Sequence, residues 1–269
     1  MKYSNLIIIT TCILFACTSL PKERYSQFTF KKNTYHQGDS VYIELVNPVA
    51  APVRINLRFD NSDSSLIKLV LPGYGDSTLS YSSQQLDSIT AKNLDYFITF
   101  GDPITSVTDT TFRYAFPFPK GRSYKIMQGY NGTFSHTSDY SRYAIDFDMS
   151  IGDTVTAALD GIVIGVIEDY NVGGSSRKYR PFANYITLFH KDGTMTQYVH
   201  LSYKSSFVSV GDTVKKYQPI GLSGNTGFSS RPHLHFNVLT PTKDGINSFP
   251  IKFERADGYE LKKGGTASH

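Results

Sequence analysis

Short runs in which hydrophobic and polar residues alternate recur through the first part of the chain. They fall at residues 28–30, 41–46, 53–59, 66–71 and 96–100, with turn-forming residues between them. Alternation with a period of two is typical of strands that bury one face, and closely spaced turns are typical of antiparallel sheets. The pattern predicts a mainly β protein. A linker is expected at residues 18–24, and an immunoglobulin-like β-sandwich with its following linker is expected at residues 25–112.

A second region of short strands and turns is predicted from residue 113 to residue 256. It begins with the motif FPFP at residues 116–119, whose prolines exclude a central strand. Within it, IGDTV at residues 151–155 is echoed by VGDTV at residues 210–214. Two similar hairpin units indicate an internally duplicated β fold, since a solenoid needs about three or more repeats. Residues 257–269 are expected to form a tail, of which the polar residues 262–269 are predicted to be disordered.

Composition narrows the classes of function. The 269 residues carry a formal charge of +4, from 27 Lys and Arg against 23 Asp and Glu. The surplus is scattered, and no basic stripe or block of aromatic and basic residues indicates a nucleic-acid partner. The two cysteines are Cys12 and Cys17, so the chain beyond residue 17 offers neither a disulfide nor a thiolate ligand.

The N-terminal residues have the features of an export signal. A short basic start precedes an apolar run at residues 6–16, which is too short to span a bilayer as a helix. The run ends in LFAC at residues 14–17, which resembles the bacterial lipobox, where the cysteine is acylated and becomes the new N-terminus. We therefore expect residues 1–17 to be a lipoprotein signal and Cys17 to anchor an exported protein to a membrane of the bacterial envelope. The alternative is a plain signal peptide that is cleaved nearby.

Candidate chemistry lies in the second region. His233 and His235 are two residues apart in an apolar run, so on a strand both imidazoles face the same side of a sheet. His136 and His200 lie near other predicted strands of this region. Neutral imidazole is both a common zinc ligand and a common general base, so these histidines can supply both functions.

An aspartate completes this candidate set. Asp146 follows the apolar run YAI, where a carboxylate is costly unless it is paired or binds a metal. Alternation would place Asp148 on the same face, so the pattern alone does not choose between the two carboxylates. Two imidazoles and one carboxylate leave a fourth tetrahedral position for water, which is typical of a catalytic rather than a structural zinc site.

The order of short motifs in residues 117–240 is similar to that of the lysostaphin and LytM family of zinc endopeptidases. The motifs are FSH at 134–136, RYAIDF at 142–147, GDTV at 152–155, DGIV at 160–163, NYITL at 184–188, YVHL at 198–201, GLSGNTG at 221–227 and HLHF at 233–236. The resemblance implies a lysostaphin/LytM-like β domain with a duplicated hybrid motif at residues 113–256, and one zinc ion per chain.

The resemblance also implies roles for individual residues. The family's metal ligands fall on His136, Asp146 and His235, and its catalytic pair falls on His200 and His233. The two histidines of the catalytic pair would accept the proton of the attacking water, steady the tetrahedral intermediate and return a proton to the leaving amine.

One spacing departs from the family pattern. The first histidine and the aspartate usually lie closer together than they do here, where residues 137–145 intervene. The closer spacing would put Arg142 in the ligand position, and its guanidinium stays protonated and does not bind zinc. We therefore expect His136 to reach the metal from a longer loop, the alternative being an ordinary loop histidine. His190 precedes a turn and is interpreted as a hairpin-end residue rather than a ligand.

The resulting hypothesis is a zinc-dependent endopeptidase that hydrolyses peptide bonds in peptidoglycan stems or cross-links at the cell envelope. The alternative is a non-catalytic relative that activates or recruits another cell-wall hydrolase, with an envelope regulator protein as partner. Relatives of that kind usually lack one or more of the five site residues, all of which are present here. A carrier domain for biotin or lipoate would use a lysine such as Lys215 or Lys216, but the histidines and the expected export argue against it.

Overall fold

The computed structural model describes residues 20–24, 30–59, 67–82, 94–106 and 111–269. In these residues the protein is mainly β, as the sequence predicts, with short 3-10 helices between some of the strands. No helix among them is both long and apolar enough to cross a membrane. The predicted signal segment, including Cys17, and most of the strand expected at residues 28–30 lie outside the described residues.

The N-terminal module contains two antiparallel sheets that share one core. Its strands are β1 (Lys31–Gln37), β2 (Ser40–Val46), β3 (Val53–Phe59), β4 (Ile67–Leu71), β5 (Asp76–Ser82) and β6 (Leu94–Phe100). One three-stranded sheet has the order β1-β2-β5, and the other has the order β4-β3-β6. Ile43 and Leu45 of β2 are buried in one cluster with Ile55 and Leu57 of β3, so the central strand of each sheet contributes to the same core.

Strands β1 and β5 are absent from the sequence prediction. Both are edge strands that flank β2, and neither contains a fully buried residue. These two strands are held by backbone pairing with β2 rather than by burial of one face. Hydrophobic alternation is therefore weak in their sequences, KKNTYHQ and DSTLSYS. The central strands β2 and β3 bury alternate residues, which is why the pattern finds them.

The C-terminal domain is built on a larger sheet. Its strands are β7 (Arg113–Tyr114), β8 (Ser123–Gln128), β9 (Ile145–Phe147), β10 (Thr154–Thr156), β11 (Gly161–Ile167), β12 (Gly173–Gly174), β13 (Tyr185–Phe189), β14 (Met195–Val199), β15 (Thr213–Val214), β16 (Pro219–Leu222), β17 (Gly227–Phe228), β18 (Leu234–Thr242), β19 (Gly245–Ser248), β20 (Lys252–Phe253) and β21 (Thr266–Ser268), and its 3-10 helices are η1 (Arg177–Phe182) and η2 (Gly258–Glu260). A nine-stranded sheet has the order β15-β11-β13-β14-β18-β9-β8-β21, with β19 also paired to β18. Its core is rich in aromatic residues, including the fully buried Phe118, Phe147, Tyr198 and Phe236.

The two sequence echoes adopt the same turn. Gly152 and Gly211 have φ values of 90° and 100°, a region that favours glycine. The carboxylate of the following aspartate accepts a hydrogen bond from the backbone three residues earlier, at 2.7 Å for Asp153 and 2.8 Å for Asp212. The motif GD therefore recurs because this turn needs a glycine at positive φ and an aspartate that accepts the backbone hydrogen bond.

The strands next to these turns pair in a crossed manner. β10, which belongs to the first echo, pairs with β16, which follows the second echo. β15, which belongs to the second echo, pairs with β11, which follows the first. Each echo is therefore completed by a strand from the neighbourhood of the other.

The prediction of disorder at residues 262–269 is wrong. Helix η2 begins with a capping box formed by Asp257 and Glu260, and β21 pairs antiparallel with β8 at the edge of the large sheet. Leu261 and Ala267 are buried. The order of this segment comes from capping and backbone pairing, neither of which produces a hydrophobic period in the sequence.

The N-terminal module contacts the C-terminal domain through a small apolar cluster. Ala51 is fully buried together with Met195 of β14 and Leu239 of β18. Beside it, the Arg54 guanidinium donates hydrogen bonds to the carbonyl oxygens of Thr242 and Gly245, which lie at the turn between β18 and β19. The contact therefore involves strands that also hold candidate site residues.

Candidate metal centre and active site

Strand register brings two of the predicted ligands together. Asp146 on β9 is directly opposite His235 on β18, so these side chains are neighbours across an antiparallel pair. On the other side of β9, Asp146 is opposite Gln128 of β8. The sheet itself therefore aligns a carboxylate, an imidazole and an amide in one row.

His136 reaches this row from the loop between β8 and β9. Its backbone N–H donates to the Gly132 carbonyl at 3.0 Å, and its Nδ1 lies 2.9 Å from the Gly129 carbonyl oxygen. The Ser141 hydroxyl donates to the Ser135 carbonyl at 2.9 Å, which ties the two arms of the loop. His136 is fully buried, so the long spacing from Asp146 is taken up by an ordered loop.

The three predicted ligands converge on one point. His136 Nε2 is 3.2 Å from Asp146 Oδ1 and 3.3 Å from His235 Nδ1, and His235 Nδ1 is 2.8 Å from Asp146 Oδ1. Ligands about 2.0 to 2.1 Å from a tetrahedral zinc ion lie about 3.3 Å from one another. The triangle of donor atoms therefore fits such an ion, and it is the only group of this kind among the described residues.

The chemistry of these donor atoms also favours a cation at their centre. A carbonyl oxygen only accepts hydrogen bonds, so His136 Nδ1 carries the proton and, in the neutral ring, Nε2 presents a lone pair to the Asp146 carboxylate. Burial raises the pKa of Asp146, but hydrogen bonds that His136 and His235 donate when their rings are protonated hold it well below its usual range. Burial lowers the pKa of His136, and the bond to Asp146 and its charge raise it by more.

Gln128 is a site residue that sequence reasoning missed. Its Nε2 donates to Asp146 Oδ2 at 3.0 Å and to the Ser135 hydroxyl at 2.8 Å. Its Oε1 accepts the backbone N–H of Phe134 at 3.1 Å. Gln128 therefore links the carboxylate to the loop that carries His136, and nothing in the alternation of β8 distinguishes it from an ordinary strand residue.

His200 and His233 lie beside this centre at strand ends. His200 follows β14 with a φ of 67°, and its Nδ1 is 2.7 Å from the Thr226 carbonyl oxygen. His233 precedes β18, and its Nδ1 is 2.8 Å from the Arg231 carbonyl oxygen. Each carbonyl holds the proton on Nδ1, so Nε2 is left as the acceptor in the neutral ring.

The two rings face each other and the metal-binding residues. Their centroids are 4.6 Å apart, and His233 Nε2 lies 3.9 Å from Asp146 Oδ1. Burial, together with the charges of His233 and His235, lowers the pKa of His200 to about 3. His200 is therefore neutral at physiological pH, with its Nε2 unprotonated.

Other candidates from the sequence lie outside the cluster. The Asp148 carboxylate is 3.2 Å from the Arg231 guanidinium, so the choice that alternation left open falls on Asp146. His190 follows β13 at the hairpin that leads to β14, and both of its ring nitrogens have hydrogen-bond partners in the chain. Lys215 and Lys216 pair with Asp160 and Glu254 on the surface.

Two cavities flank the metal-binding residues. One, of about 620 Å³, reaches Asp146 and is walled partly by Leu261 and Lys262 of the C-terminal segment. The other, of about 440 Å³, reaches His200 and His235. Phe134 lines both cavities and stacks on Phe228, with ring centroids 5.6 Å apart. The metal-binding residues thus lie between two open cavities.

Comparison with known proteins finds a match between part of this chain and a peptidase family. Residues 140–248 match the model of peptidase family M23, a range that contains all the predicted metal-binding and catalytic residues except His136. A protein described as an uncharacterized metalloprotease from Haemophilus influenzae is 45% identical over 120 residues, which are 41% of this chain and 23% of that protein. Peptidoglycan DD-endopeptidase ShyA from Vibrio cholerae is 37% identical over 94 residues, 35% of this chain and 19% of its own.

Among solved structures, the catalytic domain of lysostaphin from Staphylococcus simulans is 32% identical. The match covers 48% of this chain and 82% of that one, with a TM-score of 0.32. This chain spans less than a third of the length of the two curated relatives named above. The family match lies within the C-terminal domain.

Proposed function

Since the C-terminal domain of this chain belongs to peptidase family M23, we propose that the chain is a zinc-dependent endopeptidase that hydrolyses peptide bonds in peptidoglycan stems or cross-links. The observation that carries the proposal is the pairing of two sets of residues in one cleft. Three donor atoms, from His136, Asp146 and His235, converge at 2.8 to 3.3 Å. Two further histidines, His200 and His233, keep an acceptor nitrogen free beside them.

His136, Asp146 and His235 would hold one zinc ion per chain. When bound, zinc supplies Lewis acidity, which polarises the scissile carbonyl and brings the pKa of a coordinated water toward neutrality. The chain's own contribution is to fix the ligands before binding. His136 is oriented by the Gly129 carbonyl and Asp146 by Gln128, so the ligand set does not have to rearrange.

His200 and His233 would handle protons. Each imidazole has its Nδ1 proton tied to a backbone carbonyl, so each can receive a proton on Nε2 from the attacking water. Once protonated, the same Nε2 can donate to the developing oxyanion or to the leaving amine. Together the two rings would accept the proton of the attacking water, stabilise the oxyanion and protonate the leaving amine.

The substrate and location are proposed from relatives and from the N-terminal sequence. ShyA is named as a peptidoglycan endopeptidase, and peptidoglycan peptides are accordingly the proposed substrate. The lipobox-like sequence at residues 14–17 supports export and a lipid anchor on Cys17 at the cell envelope. A membrane and a wall peptide are therefore the proposed partners.

The direct test measures metal and product together. The full chain, purified in detergent, is analysed for zinc and incubated with purified peptidoglycan, and new amine termini are identified by mass spectrometry. We expect about one zinc per chain and release of peptide fragments without cleavage of the glycan. A chelator should abolish the release, and added zinc should restore it.

Two outcomes would contradict the proposal. A folded chain that takes up no zinc would exclude the metal-dependent reaction. Stoichiometric zinc without cleavage of peptidoglycans that differ in their cross-links would favour the non-catalytic regulator, whose partner could then be sought among envelope proteins. The presence of all five site residues makes hydrolysis the first function to test.

A further inference from the structure

Two arginines line the cavity on the His200 side of the metal-binding residues. Arg177 and Arg180 share this space of about 440 Å³ with His200 and His235. Both arginine side chains are exposed to solvent. No role for them follows from the proposed metal centre or from the proton transfers, so they are available for contact with a ligand.

The arginines are carried by an anchored helix. Both belong to η1, where residues three apart lie above one another on one face. The helix is held by Phe182, which is buried against Tyr170 with ring centroids 5.4 Å apart. The loop before it is fixed by β12, which pairs in parallel with β17. The two guanidinium groups are therefore presented together from a fixed support.

Neither arginine has an ion-pair partner in the described part of the chain. Three other arginines do: Arg24, Arg142 and Arg231 each pair with an aspartate. A guanidinium is always protonated at physiological pH, so two on one helical face repel each other. An anion between them would relieve this repulsion, and a carboxylate matches the paired donors of a guanidinium.

The charge of Arg180 is directed toward the cavity. Tyr140, another lining residue, donates its hydroxyl to Gln197 at 3.0 Å. Burial raises the pKa of Tyr140, and the positive charge of Arg180 opposes this rise. The positive charge of Arg180 therefore acts on a side chain of the cavity that His200 also lines.

We infer that Arg177 and Arg180 bind a free carboxylate of the peptide substrate close to the scissile bond. The inference rests on the proposed function and specifies its substrate class: an anionic peptide, in contrast to a neutral one such as a glycine bridge. The carboxylate comes either from a side chain or from a C-terminus. The arginines act as specificity residues, because they contact the substrate away from the reacting atoms.

The test compares substrates that differ only in this charge. The full chain in detergent is given soluble cross-linked fragments of peptidoglycan, either native or with their carboxyl groups converted to amides. We expect kcat/KM to fall about 10- to 100-fold on amidation, the range of a hydrogen bond between charged groups. The double variant Arg177→Gln, Arg180→Gln should lose the same factor on native fragments, mainly through KM, and change little on amidated ones.

A matched control lies in the same helix. Lys178 stands between the two arginines, but its ammonium lies over the Tyr179 ring and does not line the cavity. Lys178→Gln removes one positive charge from η1 and should leave the preference for native fragments unchanged. If it abolishes the preference, or if the arginine variant keeps it, local recognition of a carboxylate is excluded. Synthetic fragments amidated only at side chains or only at the C-terminus identify the source of the carboxylate.

Binding separates this inference from the proposed reaction. Calorimetry with the same fragments and variants reports recognition whether or not cleavage occurs. Cleavage without a preference for native fragments would retain the endopeptidase and overturn the carboxylate site. Preferential binding that depends on the arginines, without cleavage by the wild-type chain, would retain the site and overturn the hydrolytic function. If the wild-type chain shows neither preferential binding nor cleavage, both the carboxylate site and the hydrolytic function are overturned.

Discussion

The large sheet buries histidines in two places, and the two environments differ. At the hairpin between β13 and β14, His190 is buried with its Nδ1 2.8 Å from the Asp160 carbonyl oxygen and its Nε2 2.9 Å from the Thr196 hydroxyl. In the cleft, His136 and His200 also have Nδ1 bound to a carbonyl, but His136 Nε2 faces Asp146 and His235, and His200 Nε2 has no hydrogen-bond partner among the described residues. The histidines are similarly buried in both places, and the difference lies in what surrounds the second ring nitrogen, Nε2.

This difference distinguishes a structural histidine from one that can bind a metal or transfer a proton. When the fold satisfies both nitrogens, the ring is a polar part of the core, and its replacement affects stability. When the fold satisfies one and directs the other toward a shared point, the ring is prepared for a metal or a proton. Variants at the two places should therefore produce different losses.

The largest effect is expected from removal of a metal ligand. His235→Ala should lose stoichiometric zinc and all measurable peptidoglycan hydrolysis, because two donor atoms do not hold the ion. Zinc analysis and product release are measured on the same preparation. His190→Asn serves as the control and should keep both zinc and activity. Retention of zinc by His235→Ala would remove this residue from the ligand set.

The next effect is expected from a histidine assigned to proton transfer. His200→Ala should retain about one zinc per chain and lose about 100- to 10,000-fold in turnover, the usual contribution of general acid–base catalysis. The measurement is kcat on soluble fragments, with zinc determined in parallel. Equal loss of zinc and activity would instead place His200 with the metal ligands. His233→Ala is expected to behave as His200→Ala does.

A smaller effect is expected from the residue that orients the carboxylate. Gln128→Leu removes the donor to Asp146 Oδ2 and the link to the His136 loop, and should weaken zinc binding about 10- to 100-fold. Competition with a zinc-binding dye measures this affinity. Gln218→Leu is a suitable control, because Gln218 accepts a bond from the Lys215 backbone away from the cleft. Unchanged affinity in Gln128→Leu would show that the ligands are fixed without it.

The smallest effect is expected at His190, and it depends on pH. Burial lowers the pKa of His190, so between the ordinary pKa and this lower value the unfolded chain binds a proton that the folded chain does not. The stability that this contributes is present above pH about 6.5 and is lost as the pH falls, by at most about 1.4 kcal/mol per pH unit. His190→Asn should be less stable at pH 8 but show a shallower loss on acidification. Urea unfolding of both chains at the same zinc concentration tests this, and parallel pH profiles would contradict it.

The sequence predicts the parts of this protein whose signal is local. β2 and β3 are found because their alternate residues are buried, and the spacing of His233 and His235 marks the start of β18. The structure brings all five predicted site residues together, including His136 from its long loop. Asp146 and Asp148 could not be separated from the pattern, because the choice depends on where strand β9 ends.

The parts that could not be predicted depend on partners distant in the chain. The edge strands β1 and β5 and the C-terminal strand β21 are ordered by pairing with another strand, and Gln128 acquires its role only when β8 pairs with β9. The arginines of η1 are ordinary surface residues in sequence and become notable through the cavity that they line. Long-range pairing, rather than composition, decides each of these cases.

The crossed pairing of the echoes makes the C-terminal domain indivisible. A break at the exposed residues 175 and 176 would leave β10 and β11 on one fragment and β15 and β16 on the other. The β10–β16 and β15–β11 pairs each join one fragment to the other, so neither fragment can form either of these two pairs by itself. A cut in this loop would therefore leave two fragments that each need the other to form the β10–β16 and β15–β11 pairs.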